Sequence, residues 1–208
     1  MTPYKTVRQM AECENTINRS RFISKCFPVK NEDEAVALLA SVRAQYPDAS
    51  HTCYAYRAGE RGEAARYSDA GEPSGTAGMP IFEVLRTNGL TNVLVTVTRY
   101  FGGILLGTGG LARAYGGGAA EAVKLAGKIE RIPAGIFELR VDYPRYGQLE
   151  AYIRANAEIN ELSFTDKVFI RASVASDAAD SFVSGIIELS DGRVRPVPAG
   201  EGVMEREL

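Results

Sequence analysis

The first two thirds of the chain alternate between strand-like and helix-like spacing of apolar residues. Alternating or continuous apolar residues predict four strands, at residues 6–13, 20–29, 51–57 and 92–101. Helical spacing predicts three helices: one between Asn31 and Pro47, one from Thr76 or Gly78 to Asn88, and one that includes Leu111 to Ala126. The strand at 92–101 is rich in β-branched residues, which places it in the centre of a sheet.

Three consecutive glycines, Gly116 to Gly118, lie inside the third predicted helix. Each glycine costs a helix about 1 kcal/mol relative to alanine. Close packing of the helix backbone and a hinge both explain such a run, and we favour packing.

The last third of the chain predicts a separate β-α-β-β-α-β domain, the ferredoxin-like arrangement. Its strands and helices are expected, in that order, at residues 136–143, 146–157, 159–164, 168–174, 178–189 and 193–197. The segment R-I-P-A-G at 131–135 is the predicted boundary, so we divide the chain into domains 1–133 and 134–208. The predicted fold class is therefore α+β with two domains. Few polar groups converge in the second domain, which is typical of a scaffold or docking module.

Composition and cysteine usage exclude several classes of protein. The chain has 45% hydrophobic and 24% charged residues, as ordinary globular proteins do. No apolar run approaches the roughly 20 residues of a membrane span, and the N-terminus lacks the apolar core of a signal peptide, so we expect a cytoplasmic protein without membrane contact. Three widely spaced cysteines argue against disulfides and structural zinc, and His51-x-Cys53 alone is a weak metal pattern. We predict no metal and no cofactor.

Charge is distributed unevenly, although the net charge is only −2. Residues 1–133 contain 16 Lys and Arg against 13 Asp and Glu, whereas residues 134–208 contain 8 against 13. A mildly basic first domain is a weak indication that it meets an anion, and scattered surface charge explains the same numbers.

A glycine-rich segment follows the strand at 92–101, with eight glycines between Arg99 and Gly118. Residues 107–112, G-T-G-G-L-A, fit the dinucleotide pattern G-x-G-x-x-G/A, but five residues separate them from the strand and no acidic residue ends the next strand at the required distance. A standard nucleotide cofactor is therefore not predicted. Free N–H groups at a helix N-terminus still favour an anion, with Arg99 and Arg113 as phosphate partners. Close packing of this helix on the sheet is the alternative explanation of the glycines.

The loop R-Y-S-D-A-G-E-P-S-G-T-A-G-M-P at 66–80 concentrates polar groups. Asp69 and Glu72 are a candidate acid–base pair, yet such a pair needs a pocket and separated pKa values, which a sequence does not supply. Asp69 as a turn residue ahead of Gly71, with Ser74 or Thr76 as the cap of the next helix, is a sufficient alternative. We expect Arg66 to pair with an acid of this loop. Because this loop and the glycine-rich segment both lead into helices, we predict that two anion-binding helix ends face one groove.

Three stretches resemble the IMPACT/YigZ family: A-S-H-T-C-Y-A-Y-R at 49–57, the loop at 66–80, and L-T-N-V-L-V-T-V-T-R-Y-F-G-G-I-L-L-G-T-G-G-L-A-R-A-Y at 90–115. The resemblance covers residues 20–126 with specific motifs. F-T-D-K-V at 164–168 resembles, less specifically, the ferredoxin-like domain that follows in bacterial members. Two residues depart from the family's pattern, namely Ala70, where a second acid is common, and Met79, where a basic residue is common.

The resemblance implies a first domain with the β/α fold shared by domain IV of elongation factor G, a small-subunit ribosomal protein and the small-molecule kinases of the GHMP class. It implies a second domain like domains III and V of that elongation factor. Eukaryotic members restrain an amino-acid-starvation kinase by competing for its ribosome-associated activator, and they use an additional N-terminal domain that this sequence does not contain. We therefore do not expect that partner to carry over.

Position by position, the family's motifs fall on eighteen residues of this sequence: His51, Tyr54, Arg66, Ser68, Asp69, Gly71, Glu72, Ser74, Gly75, Thr76, Arg99, Gly102, Gly103, Gly107, Gly109, Gly110, Arg113 and Tyr115. We take them as candidate anion-binding or nucleic-acid-binding positions. The resemblance assigns a catalytic role to none of them, and we predict no catalytic residue.

Three functions are compatible with these patterns. The first is a non-enzymatic cytoplasmic protein that contacts RNA or the translation machinery, regulates translation, and binds through the loops at 66–80 and 99–115. Arg66, Arg99 and Arg113 then contact phosphates. The second is an enzyme or binder of a phosphorylated small molecule at the glycine-rich groove. The third is an adaptor whose C-terminal domain docks a partner. We favour the first.

Overall fold

The chain forms two α+β units in the computed structural model, which describes residues 1–208. The N-terminal unit comprises Tyr4–Glu130 with Glu207–Leu208, and the C-terminal unit comprises Met1–Pro3 with Arg131–Arg206. The predicted α+β class is confirmed. The segment 131–135, where we expected a boundary, lies inside one continuous strand. The two units divide between Glu130 and Arg131, at the edge of this segment, and within it the buried residues Ile132 and Ala134 lie between half-buried neighbours, which is the alternation of a strand.

Ten strands and five α-helices make up these units. The strands are β1 (Tyr4–Val7), β2 (Ala11–Ile17), β3 (Ser20–Pro28), β4 (His51–Ala58), β5 (Ala64–Ser68), β6 (Val93–Tyr100), β7 (Lys128–Val141), β8 (Glu158–Phe164), β9 (Val168–Ala175) and β10 (Val197–Glu207). The helices are α1 (Glu32–Gln45), α2 (Gly78–Thr87), α3 (Gly107–Ala126), α4 (Tyr143–Asn156) and α5 (Ala179–Leu189). None of the helices combines the length and the apolar character that a membrane crossing requires.

The N-terminal unit is built on an antiparallel sheet in the order β2-β3-β6-β4-β5. β6 lies in the middle, as predicted, and is buried on both faces. Val95 and Val97 pack in the core formed with α2 and α3, whereas Leu94 packs with α1. Burial on both faces explains why V-L-V-T-V-T contains few alternating polar positions. Because helices cover both faces of β6, a functional site on this sheet is expected at the ends of the strands.

The predicted helix after Asn31 is confirmed as α1. The side-chain oxygen of Asn31 accepts a hydrogen bond from the N–H of Glu34 at 2.9 Å, so Asn31 caps the helix. Ala35, Leu39 and Val42 form its buried stripe against the sheet.

The strand predictions near the N-terminus and after β4 need correction. The run at 6–13 is not one strand, because β1 ends at Val7 and β2 begins at Ala11. β2 and β3 are joined by a two-residue hairpin turn in which Asn18 and Arg19 have φ of 45° and 63°. Strand β5 escapes prediction because A-A-R-Y-S is a short, mostly exposed edge strand without apolar alternation.

The C-terminal unit has the predicted β-α-β-β-α-β order, with its four strands arranged β10-β7-β9-β8. β9 runs antiparallel to both β7 and β8. Leu149 and Ile153 of α4, with Phe182 and Ile186 of α5, fill the core against this sheet. The ferredoxin-like prediction is therefore confirmed.

The last strand lies later than predicted. Val194, within the range 193–197, is buried as a strand residue would be. It lies just after a turn, however, and not in a strand. The hydroxyl of Ser190 holds that turn, accepting from the N–H of Val194 at 3.0 Å. β10 itself is mostly exposed and contains two glycines, so its sequence lacks the apolar alternation of a strand.

Packing explains part of the glycine run in α3. A Cβ at Gly118 would lie 2.3 Å from Oγ of Ser24 and 3.5 Å from its Cβ, so the helix packs closely against β3 at this position. Gly116 makes ordinary contact with Pro80, and Gly117 has no atom within 4 Å of the place a Cβ would take. The packing prediction is confirmed at Gly118 only.

Candidate functional site

A cavity of about 530 Å³ opens in the N-terminal unit where β4 begins, β6 ends and α3 begins. Five of the eighteen candidate residues line it: His51, Gly71, Glu72, Arg99 and Gly107. Apolar side chains form much of the remaining wall, namely those of Pro73, Phe101, Leu105, Leu106 and Leu111. The cavity therefore combines a few polar groups with an apolar wall, as ligand sites do.

A tight turn brings the first of the two predicted loops to the cavity. The Glu72 N–H donates to the Asp69 carbonyl at 2.9 Å, and Ala70 and Gly71 between them have φ of 46° and 92°. Positive φ at both central positions is typical of a type I′ turn. A Cβ at Gly71 would lie 3.2 Å from Nδ1 of His51, so the turn packs directly against the imidazole. The interpretation of Asp69 as a turn residue is confirmed.

The Asp69 carboxylate closes the rest of that loop. It accepts hydrogen bonds from the backbone N–H groups of Gly75, Ala77 and Gly78 at 2.8, 2.9 and 2.8 Å. The last two groups begin α2, so Asp69 caps this helix, and no serine or threonine of the loop does. Because a carboxylate of the chain already occupies this end, the prediction that α2 binds an external anion is wrong.

We expect acid to weaken this loop. Burial by itself raises the pKa of Asp69, but the three backbone hydrogen bonds act together to bring the pKa below its ordinary value. A carboxyl with a lowered pKa in the folded state stabilises the fold fully above its ordinary pKa of about 3.9. That contribution is lost as the pH falls through the lowered value. Urea unfolding should therefore show a loss of stability below about pH 4 that depends on Asp69.

The substitution Asp69→Asn tests this expectation. We expect it to lower the free energy of unfolding by about 1–2 kcal/mol near neutral pH and to flatten the acid dependence. Glu121→Gln removes the same charge from an exposed position on α3 and should leave both unchanged. An acid dependence as steep in Asp69→Asn as in the parent protein would assign the effect to other carboxyls.

Arg99 and Glu72 form a buried ion pair in the cavity wall. Nη1 of Arg99 donates to Oε1 of Glu72 at 2.7 Å, and the two side chains are only 6% and 3% exposed. Nη2 of Arg99 donates to Oγ of Ser20 at 3.2 Å, and the rings of Phe22 and Phe101 lie 5.4 and 5.3 Å from the guanidinium. The charge of Arg99 is therefore compensated within the protein, and this side chain organises the wall.

Tyr115 and Cys53 complete the polar cluster behind the wall. The Tyr115 hydroxyl donates to Oε1 of Glu72 at 2.7 Å, and burial, with this carboxylate nearby, raises the pKa of Tyr115 far above its usual range. Burial also raises the pKa of Cys53 to about 12, and the thiol donates to the carbonyl of Asp69 at 3.0 Å. A protonated, buried thiol is a poor nucleophile and a poor metal ligand. Because its thiol and phenol stay protonated and bonded to neighbouring groups, the cluster serves to hold the cavity wall in place.

His51 lies at the start of β4, and its ring forms part of the cavity wall. Its Nδ1 is 3.0 Å from the carbonyl oxygen of Ala70. This is its one hydrogen bond to the protein through the ring, so Nε2 remains for a ligand.

The first turn of α3 supplies unpaired backbone donors to the cavity. No side chain caps this helix, and its first turn contains no acidic residue. The N–H groups of a first helical turn have no partner inside the helix. Gly107 and Thr108 of this turn line the cavity. The predicted anion-binding end is thus compatible with α3, in contrast to α2.

An exposed apolar rim borders the cavity between β6 and α3. Phe101, Ile104 and Leu105 are 49%, 40% and 85% exposed. None of the three is among the candidate residues, because the stretch F-G-G-I-L-L at 101–106 is apolar and carries no sign of exposure. Thr108, beside the glycines, was missed for lack of a pattern that distinguishes it.

Gly102 anchors this rim to the β2–β3 hairpin. Its N–H donates to Oγ of Ser20 at 3.2 Å, and a Cβ at this position would lie 2.0 Å from the carbonyl carbon of Arg19. Only glycine allows this approach of two backbones.

Two candidate residues, Tyr54 and Arg66, lie away from the cavity on the α1 side of the sheet. Tyr54 stacks on Tyr56 with ring centroids 6.1 Å apart. Arg66 is opposite Tyr56 in the β4–β5 register and lies 3.5 Å from Glu32 of α1. The predicted pairing of Arg66 with an acid of its own loop is wrong, because the strand register directs it to this other face.

The remaining candidate residues shape the loops or lie near the surface. Oγ of Ser68 accepts from the N–H of Ala70 at 3.1 Å, and the Thr76 hydroxyl donates to the Pro73 carbonyl at 2.6 Å. Exposed or half-buried positions outside the cavity wall are Ser74, Gly75, Gly103, Gly109, Gly110 and Arg113.

Comparisons with known proteins cover both units. Residues 18–123 match the family model of the Impact N-terminal domain, and residues 139–193 match a domain of unknown function, DUF1949. The chain is 37% identical over 191 residues to the IMPACT family member YvyE of Bacillus subtilis, covering 91% of this chain and 88% of the relative. It is 34% identical over 182 residues to the IMPACT family member YigZ of Escherichia coli, covering 86% and 89%. A crystal structure of a hypothetical protein, 30% identical, superposes with a TM-score of 0.60 over 96% of this chain and 98% of that one. The chain belongs to the IMPACT family.

Proposed function

We propose that this protein is a non-enzymatic, cytoplasmic RNA-binding protein that contacts the translation machinery and regulates translation. The observation that carries the proposal is the combination, around one cavity, of unpaired first-turn N–H groups of α3 with an exposed aromatic ring. The resemblance of the first domain to domain IV of an elongation factor and to a ribosomal protein supports the same class of partner.

The start of α3 suits an RNA phosphate. Its N–H groups carry the positive end of the helix dipole, and no carboxylate of the chain competes for them. Arg113 is exposed one turn further along α3, and Arg19 is exposed in the hairpin that holds Gly102. Neither arginine has an ion-pair partner in the protein. Arg113 therefore remains a side chain that we expect to contact phosphates, and Arg19 takes the place of Arg66 and Arg99, which are ion-paired.

The apolar rim suits a base. Single-stranded nucleic acids bind by placing bases on aromatic rings, and each stacked base contributes about 1–3 kcal/mol. Phe101 is half exposed, and the guanidinium of Arg99 lies 5.3 Å from its ring centre, so the ring is held in place from behind. Because every base has a flat face, this rim favours single-stranded RNA without strong sequence preference.

Fluorescence anisotropy with a labelled single-stranded oligouridylate at increasing salt tests the proposal. We expect binding at low salt that weakens linearly in a double-logarithmic plot, with a slope of about −0.7 for each phosphate contacted. Arg113→Gln should reduce the magnitude of that slope by about 0.7. Arg43→Gln removes the same charge from α1, on the other side of the sheet, and should leave the slope unchanged. No binding to RNA or to ribosomes at low salt would refute the proposal.

A second candidate, a binder of a phosphorylated small molecule, is favoured by the size of the cavity. About 530 Å³ lies within the range of small-molecule sites. Calorimetric titration with uridine 5′-phosphate distinguishes the two functions. An oligouridylate that binds no more tightly than the mononucleotide would favour the small molecule, whereas RNA binding predicts a marked gain with chain length.

A further inference from the structure

His51 offers the cavity a hydrogen-bond acceptor of defined position. A carbonyl oxygen only accepts hydrogen bonds, so the 3.0 Å contact between Nδ1 and the Ala70 carbonyl requires the proton on Nδ1. In the neutral ring, Nε2 then carries a lone pair and no hydrogen. No donor of the protein is bonded to Nε2.

The fold fixes the orientation of this ring. The backbone of His51 pairs with Arg99 in the central part of the sheet, and the strained turn at Ala70 and Gly71 packs against the imidazole. The packing of that turn and the hydrogen bond at Nδ1 hold the ring, which presents its acceptor without the entropy cost of ordering a side chain.

The second polar feature of the cavity is a set of hydrogen-bond donors. The first turn of α3, at Gly107 and Thr108, presents backbone N–H groups, and the wall that also includes Leu106 and Leu111 is apolar. A ligand that satisfies both features has an anionic acceptor and, within the same small volume, a hydroxyl that donates. A ribonucleotide unit has this combination, because its phosphate only accepts and its 2′-hydroxyl donates.

We infer that Nε2 of His51 accepts a hydrogen bond from a ribose 2′-hydroxyl, so that the cavity distinguishes RNA from DNA. This inference rests on the proposed RNA binding and specifies its selectivity. A deoxyribose leaves Nε2 without a donor in a partly apolar cavity, and sites built to bond a hydroxyl discriminate against ligands that lack it.

Three oligouridylates of equal length test the inference by anisotropy with the full-length protein: ribose, 2′-deoxy and 2′-fluoro. The fluoro sugar keeps an RNA-like conformation but has no 2′ donor. We expect the ribose form to bind about tenfold more tightly than either other form, as one hydrogen bond permits. With His51→Phe, the three affinities should become equal at the deoxy level. Circular dichroism is the check that this variant is folded.

The outcomes separate the inference from the proposed function. Tight binding of all three oligonucleotides with equal affinity overturns the 2′-hydroxyl contact and leaves nucleic-acid binding in place. A 2′-fluoro form that binds as well as the ribose form also overturns it, since the preference then follows sugar conformation. Failure of every oligonucleotide to bind overturns RNA binding itself, and the inference with it.

Discussion

Replacing Glu72 with alanine is expected to lower the free energy of unfolding of the N-terminal unit by about 3–5 kcal/mol. The substitution leaves the guanidinium of Arg99, which is only 6% exposed, without its carboxylate. It also removes the acceptor of the buried Tyr115 hydroxyl. A buried charge without a partner is far more costly than the intact pair is stabilising, so the effect greatly exceeds that of a surface ion pair.

Urea unfolding followed by hydrogen-exchange mass spectrometry of peptides from β6 and α3 measures this effect. Peptide resolution is needed because the two units can unfold in separate transitions. The matched control is Glu83→Ala, which breaks an exposed pair with Arg86 on α2 and should change little. A double substitution, Glu72→Leu with Arg99→Met, should recover most of the loss, because it removes both charges together. If Glu72→Ala behaves like Glu83→Ala, the pair is not buried in solution.

Local patterns were sufficient to predict most of the fold. The buried stripe of α1 and the Asn31 cap follow from helical spacing and one side chain. β6 is covered on both faces, so its apolar run identifies a central strand. The order β-α-β-β-α-β in the C-terminal unit has a single common arrangement, which the structure has. Errors occur where a strand is exposed, as in β5 and β10, because exposure removes the alternation on which the prediction depends.

The candidate site was predictable as a meeting of two loops but not as a set of contacts. Glu72 and Arg99 are 27 positions apart, and Glu72 and Tyr115 are 43 apart. Strand register decides which arginine reaches Glu72. Arg99 on β6 lies opposite His51 on β4, beside the loop of Glu72, whereas Arg66 on β5 lies opposite Tyr56. The sequence contains Arg66 much closer to the two acids, and proximity along the chain led to the wrong partner.

Exposure of the apolar rim was not predictable either. Phe101 and Leu105 are large apolar residues of the kind that usually fill a core, and their segment lies between a buried strand and a helix. They are exposed because Gly102 fixes the loop against the hairpin at Arg19, a contact between residues more than 80 positions apart. The position of the rim thus depends on Gly102. After Glu72, Gly102 is the second residue at which we expect a small substitution to lower stability strongly.

Gly102→Ala is expected to destabilise the N-terminal unit by at least about 2 kcal/mol, because overpacking against a backbone that cannot rotate away is costly. The added Cβ would lie 2.0 Å from the carbonyl carbon of Arg19 and 2.5 Å from the N atom of Ser20, so two loops must separate. Gly117→Ala is the matched control, since it places the same methyl group in open space inside α3 and should stabilise by about 1 kcal/mol. The two variants should therefore shift the urea midpoint in opposite directions. Shifts of the same sign would show that the rim is not held by this backbone contact.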